Sequence, residues 1–280
     1  MSGNSKKCLI FLKFLLIRLL SIRKAIFFIA ILNFRALITN SDAKFKYHPK
    51  KQYYEVTSKN TLDTRSLIFK HELQGGISYL KGIQARGDGI GSRYFLTKID
   101  FKDGDIIFDC GANAGDLLLW FQNRSLKIAY TGFEPAPEEY GCLKRNIQHH
   151  HAHQVALWQD DGKLDFFCSS QAADSSIIEP SSFDEIIQIE AARLDNFLYT
   201  NIKLLKLEAE GGELEVLKGA GTKLRTIHYI SADLGPERGV MKEKTLIPVT
   251  KFLESNNFTL AYYNSAHQVA LFKNNDVIAL

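Results

Sequence analysis

Ile106-Ile107-Phe108-Asp109-Cys110-Gly111-Ala112-Asn113-Ala114-Gly115-Asp116 is an apolar run that ends in an acid and passes through a turn of small residues into a helical pattern. Strand, tight turn and helix in that order open a doubly wound α/β sheet, where ligands bind beyond the carboxyl ends of the strands. Gly111 and Gly115 let the backbone come close to a ligand, which the first turn of such a sheet requires.

A dinucleotide site asks for Gly-x-Gly-x-x-Gly, with the pyrophosphate on the helix N-terminus. Here Asn113 stands where the second glycine belongs, and Asp109 precedes Gly111 by two residues. A carboxylate there repels a pyrophosphate and favours an ammonium group, directly or through water. S-adenosylmethionine (SAM) carries an amine on its methionine end and a positive sulfonium, so Asp109, Gly111, Asn113 and Gly115 suit it. Glu134, in Phe133-Glu134-Pro135, lies 23 residues past Gly111 at the end of the next apolar run. That is close to the spacing of the acid that accepts hydrogen bonds from a ribose diol in nucleotide folds.

Downstream the pattern stays regular. Strands are expected at 106–109, 128–134, 154–158, 203–208 and 226–233, and helices near 115–123, 136–148, 193–199, 213–224 and 242–256. Strand alternating with helix predicts a mostly parallel sheet between helical layers. Leu164–Cys168 alternates as an added hairpin strand, and Phe258–Tyr263 with Gln268–Lys273 makes a terminal antiparallel hairpin.

Candidate reactive groups follow from the strand ends. Glu208 and Glu210 close the fourth parallel strand and Asp233 the fifth, so these carboxylates are expected on one rim. A carboxylate there serves as a general base, binds sugar hydroxyls, or with a partner ligates Mg²⁺. The Asp174-Ser175-Ser176 turn is a further candidate to face the acceptor. His149-His150-His151-Ala152-His153 resembles a metal tract, but it precedes the expected third strand and so falls on the amino-end rim, away from the cofactor.

The charge is uneven. Of 35 basic residues, seven (Lys6, Lys7, Lys13, Arg18, Arg23, Lys24, Arg35) lie in residues 1–40, which hold no acid; the remaining 28 face 31 acids. The formal +4 therefore belongs to a leader, and no nucleic-acid surface is signalled. Basic residues interrupt the leader so that its longest uncharged run is Ala25 to Phe34, shorter than a membrane span or a clean signal core. Residues 1–40 are read as a basic, apolar helix that lies on an anionic membrane surface or packs on the rest of the chain. Residues 41–95, lysine-rich and then glycine-dense, are read as a linker and extension, and 96–280 as the catalytic domain. Four scattered cysteines with no CxxC pair suggest neither zinc nor a disulfide framework. The expected location is cytoplasmic, peripheral at the membrane through the leader.

Over roughly residues 100–240 the chain also resembles the FkbM-type methyltransferases. The matching blocks are Asp109-Cys110-Gly111-Ala112-Asn113-Ala114-Gly115, Phe133-Glu134-Pro135, Val155-Ala156-Leu157 followed by Asp161-Gly162, and Arg193-Leu194-Asp195. They continue through Leu205-Lys206-Leu207-Glu208-Ala209-Glu210-Gly211-Gly212-Glu213 and Val216-Leu217-Lys218-Gly219-Ala220. The longest departs from the family pattern, K-[IL]-D-x-E-G-x-E, by placing Glu208 where an aspartate is usual. The resemblance implies the Rossmann-like class I methyltransferase fold and a SAM-dependent O-methyltransferase acting on a sugar, glycolipid or secondary metabolite. It also implies SAM held by Asp109, Gly111 and Glu134, with Gln159 or Asp160 near the adenine. Two other readings share the fold: a nucleotide-dependent oxidoreductase or sugar-modifying enzyme, and a non-catalytic membrane-associated relative.

Overall fold

A computed structural model of the chain describes residues 3–59, 65–72, 78–169 and 175–276, with the backbone alone for residues 3–19. The chain divides into two compact units, one ending at Ile83 and one beginning at Gln84.

Among the described residues the first unit contains a long helix, α1 (Gly3–Ile38), and a three-stranded antiparallel sheet, β1 (Ala43–His48), β2 (Tyr53–Ser58) and β3 (Ser66–Phe69), in the order β1-β2-β3. Residues 41–65, expected as a linker, thus supply two strands. The lysines mask a period of two: Ala43 and Phe45 are buried while Lys44 and Lys46 point to solvent. One stripe of α1, Ala25, Leu32 and Ala36, is buried, and Phe28 meets Tyr54 edge to face at 5.9 Å. The Asn33 side chain holds the backbone of Phe45 from both sides, donating to its carbonyl at 3.0 Å and accepting from its N–H at 2.8 Å. No helix among the described residues is long and apolar enough to cross a membrane.

The unit boundary falls after the first residue of α2 (Ile83–Arg93); the second unit continues with β4 (Ile106–Cys110), α3 (Leu117–Gln122), β5 (Ala129–Phe133), α4 (Pro137–Asn146) and β6 (His151–His153). Next come β7 (Ala156–Trp158), β8 (Gly162–Cys168), β9 (Glu185–Arg193), β10 (Ile202–Leu207), α5 (Glu213–Gly219) and β11 (Ile227–Asp233). The chain closes with β12 (Pro236–Arg238), β13 (Glu243–Lys244), α6 (Leu246–Ser255), β14 (Phe258–Asn264) and β15 (Val269–Asn274).

The central sheet has seven strands in the order β14-β15-β11-β10-β4-β5-β6. Its strands are parallel except for β15, which is antiparallel to both β11 and β14. This is the class I methyltransferase arrangement, a doubly wound α/β sheet with a terminal antiparallel hairpin. Successive strand residues feed opposite faces: Phe108 and Leu205 enter one core with Val216 and Leu217, while Ile107 and Leu204 enter the other with Leu117 and Phe121. Both faces are covered, as a parallel sheet requires. The order reverses between β4 and β10, so the crevice of a doubly wound fold opens there, at the carboxyl ends.

Three local expectations change. The third strand of the sheet is His151–His153, one element earlier than expected, and Trp158 ends a separate sheet of order β7-β9-β8. The histidine tract therefore runs into the sheet, and His153 pairs with Phe133 at the carboxyl end instead of standing on the far rim. Residues 185–193 form β9, followed by only a short 3₁₀ turn at Leu194–Asn196 where a helix was expected. The glycine-dense segment contains α2. A Cβ at Gly91 would sit 1.8 Å from Trp120 Cδ1, so the missing side chain is what lets α2 lie against α3. Arg86-Gly87-Asp88 lies within α2, where Arg86 pairs with Asp116 at 2.6 Å and Asp88 with Arg124 at 2.9 Å.

Candidate active site

The loop after β4 is built from left-handed backbone. Gly111, Asn113 and Gly115 have φ of 68°, 49° and 85°, three left-handed positions within five residues. Gly111 is also sterically obligatory: a Cβ there would lie 2.0 Å from the carbonyl oxygen of Glu208, across the β4–β10 crevice. The N–H groups of Gly111 and Ala112 both donate to the Phe133 carbonyl at 3.0 Å, which ties the loop to the end of β5. Glu134, buried, accepts from the N–H of Asn113 at 2.8 Å and of Ala136 at 3.0 Å. Burial outweighs these two donors and raises its pKa to about 7.

Beneath the loop runs a polar row set by register. Asp109 and Ser231 each sit opposite Lys206, so the three side chains share one face of the sheet within two residues of the strand ends. Lys206, almost fully buried, reaches Asp109 Oδ1 at 3.1 Å and Glu208 Oε2 at 2.9 Å, and donates to the carbonyls of Cys110 at 3.1 Å and Gly111 at 2.8 Å. Tyr130 donates to the other Asp109 oxygen at 2.6 Å. Asp109 is therefore engaged inward, fixing the loop from below. Burial pushes its carboxyl above the ordinary value, against the pull of Lys206 and Tyr130.

Glu208 follows β10 and faces two cations, Lys206 and, at 3.7 Å, Arg93 Nη2. Burial raises its pKa, but these cations outweigh it and hold the carboxyl at about 2. So acidic a carboxylate is a weak proton acceptor. Arg93 Nη2 also pairs with Asp233 Oδ2, while Asp233 Oδ1 accepts from Gly235 N–H at 3.1 Å. Burial and the neighbouring Glu208 raise the Asp233 pKa despite Arg93.

Glu210 takes φ of 47° and its carbonyl accepts from Ser176 Oγ at 3.1 Å. Ser175 Oγ accepts from Ser169 N–H at 2.9 Å, and Asp174 lies outside the described residues. Glu213 fixes this turn from within, accepting from Ala209 N–H at 3.0 Å, Gly211 N–H at 3.1 Å and Thr245 Oγ1 at 2.9 Å. Arg238 forks onto Glu215 at 2.8 and 3.0 Å. Gln159 and Asp160 follow β7, where the Gln159 carbonyl accepts from Arg193 at 3.0 Å. Among the described residues no three His, Cys, Asp or Glu side chains are placed to hold a metal ion.

The structure thus brings Asp109, Gly111, Asn113, Gly115 and Glu134 together at the β4 and β5 ends, and Glu208 and Asp233 beside them on the rim. It adds Arg93, Tyr130, Lys206 and Glu237, to which the strand-end reading gave no role. Only Lys206 had a sequence signal: a lone cation inside Leu204-Leu205-Lys206-Leu207 is out of place in a buried strand unless something pairs with it.

The chain is 27% identical over 148 residues to Methyltransferase 1 of Beauveria bassiana (strain ARSEF 2860), a match covering 42% of this chain and 59%, less than two thirds, of that protein. Among solved structures it is similar to the methyltransferase FkbM from Methylobacillus flagellatus KT (TM-score 0.49, 15% identity, 69% of this chain and 51% of that one). It is also similar to M. capricolum TrmK in complex with S-adenosyl-homocysteine (TM-score 0.38, 11% identity, 67% of this chain and 68% of that one). The model of the methyltransferase FkbM domain matches residues 109–260, from the acid that opens the glycine loop to Leu260 on β14 and more than half of the chain, so this protein belongs to the FkbM methyltransferase family.

Proposed function

We propose that the protein transfers a methyl group from SAM to a hydroxyl of a sugar, glycolipid or secondary metabolite. The observation that carries this reading is the loop of three left-handed residues at the switch point, with a buried carboxylate, Glu134, against its Asn113 N–H. The loop has Asn113 where a pyrophosphate cradle has its middle glycine, and the acid Glu134 stands against it. These residues fit SAM: Gly111, Asn113, Gly115 and Glu134 hold it, Asp109 acts through the loop it braces, and Gln159 and Asp160 flank the adenine side.

When bound, SAM supplies a methyl on a sulfonium, already a good electrophile. The chain's own task is to hold the acceptor oxygen about 3–3.5 Å from that methyl and to receive its proton. Glu208, Glu210 and Asp233 line the acceptor side. Glu208, held ionised by two cations, is suited to accepting hydrogen bonds from acceptor hydroxyls and poorly suited to taking a proton. Calorimetric titration of the full chain with SAM and with NAD tests the donor; tight NAD binding with none for SAM overturns the reading. Transfer of labelled methyl onto glycan and lipid extracts then identifies the acceptor class.

A second reading concerns location. The outward stripe of α1 supports attachment to an anionic membrane surface, because Leu20, Phe27, Ile31, Phe34 and Ile38 are between 41% and 69% exposed and share one helical face.

A further inference from the structure

We infer that Glu237, on β12, is the group that takes the proton from the acceptor hydroxyl, an inference that rests on the methyl-transfer reading above. The carboxylates around it are already held. Glu208 is paired with Lys206 and Arg93; Asp233 spends one oxygen on Arg93 and the other on Gly235 N–H. Glu213 accepts from two backbone N–H groups and Thr245, and Glu215 is clamped by Arg238. Glu237, half-buried between Pro236 and Arg238, has no hydrogen bond or ion pair among the described residues. Its place is the acceptor rim: a Cβ on Gly235 would meet Asp233 Oδ1 at 3.2 Å and Glu237 Oε1 at 3.5 Å, so the two carboxyls close on one point beyond the end of β11.

The electrostatics agree with that geometry. Burial raises the Glu237 pKa, and Asp233, Glu208 and Glu213 add to it against an offset from Arg93, bringing it to about 8. A proton acceptor works best when its pKa lies near the working pH, which Glu208 at about 2 does not meet. In the step, the acceptor oxygen bonds to the methyl carbon, the sulfonium S–C bond breaks with its electron pair going to sulfur, and the hydroxyl proton passes to a Glu237 oxygen. An ether, a neutral thioether and a neutral carboxyl result.

The test uses the full chain labelled with carboxyl-¹³C glutamate, and the Glu237→Gln variant. The resonance missing from the variant should titrate near pH 8 in the wild type, and Asp233→Asn should lower its midpoint by removing a neighbouring charge. Labelled-methyl transfer from SAM onto the glycan and lipid extract should fall at least ~100-fold in Glu237→Gln, recover in part in Glu237→Asp, and rise in the wild type with a midpoint near 8. Calorimetric SAM binding should stay within about twofold of wild type in Glu237→Gln, as expected for a group that acts on the acceptor. A Glu237 midpoint in the ordinary carboxylate range, or wild-type transfer by Glu237→Gln, overturns the assignment to Glu237 alone. Failure of the wild type to bind SAM overturns the donor reading and this inference with it.

Discussion

Lys206 is the buried cation of β10, whose other lysine, Lys203, is partly exposed, and four groups converge on the Lys206 ammonium: two carboxylates and two backbone carbonyls. Burial works against the charged amine, but Asp109 and Glu208 outweigh it and hold its pKa above the ordinary value. Removing one partner of a buried ion pair leaves the other charge uncompensated, at a cost of about 3–5 kcal/mol. Lys206→Met should lower the unfolding free energy measured in urea by that order and weaken SAM binding by loosening the Gly111 carbonyl. The sign of the pH dependence follows from Glu208. Its pKa falls from 4.5 to about 2 on folding, so its contribution is complete above pH 4.5 and is lost as pH falls toward 2. The gap in stability between wild type and Lys206→Met should therefore narrow from pH 5 to pH 3; a constant gap would mean that Glu208 does not depend on Lys206. The loop residues were readable because their chemistry is local, a few positions along one turn. Arg93 and Tyr130 were not, and Lys206 showed only as a misplaced charge without its partners, because register and packing bring these residues to acids up to 140 residues distant in sequence.

At the scale of elements, the parallel strands and the closing hairpin were legible because apolar runs alternate there with helical periods. The errors came where one signal covered another. Lysines hid the alternation of β1, and three glycines made α2 look like a loop. Those glycines have different physical reasons, and substitution separates them. At Gly91 a Cβ collides with Trp120, which is packed against Phe101 and Phe121 at 5.4 and 5.0 Å, whereas at Gly89 a Cβ meets nothing within 4 Å. Gly91→Ala should thus destabilise by about 1–3 kcal/mol through overpacking. Gly89→Ala should stabilise by about 0.5–1 kcal/mol through helix propensity. Urea unfolding followed by tryptophan fluorescence measures both, and equal shifts of the same sign would show that the α2–α3 approach does not depend on Gly91.

At the scale of the whole molecule, the uneven charge and the two faces of α1 belong to one account. The inward stripe is satisfied by the small sheet, so the outward aromatic and aliphatic residues are not needed for that packing. Arg23, Lys24 and Arg35 flank them, within a segment of seven basic residues and no acid. A second copy of the chain would bring the same positive charge to the contact, whereas an anionic bilayer brings the opposite one. Each basic residue near such a surface contributes about 1 kcal/mol, and each phenylalanine buried in it about 1.5–3 kcal/mol. The chain should therefore float with vesicles containing phosphatidylserine and stay behind with phosphatidylcholine alone. Raising salt from 0.1 to 1 M shortens the screening length from about 10 to about 3 Å and should release much of it. Phe27→Asp with Phe34→Asp should abolish flotation while leaving thermal stability unchanged, because both side chains are already in water. Flotation of this variant equal to wild type, or wild-type binding to neutral vesicles as strong as to anionic ones, would sink the membrane reading; a concentration-dependent dimer lost in the variant would assign the stripe to a second copy instead.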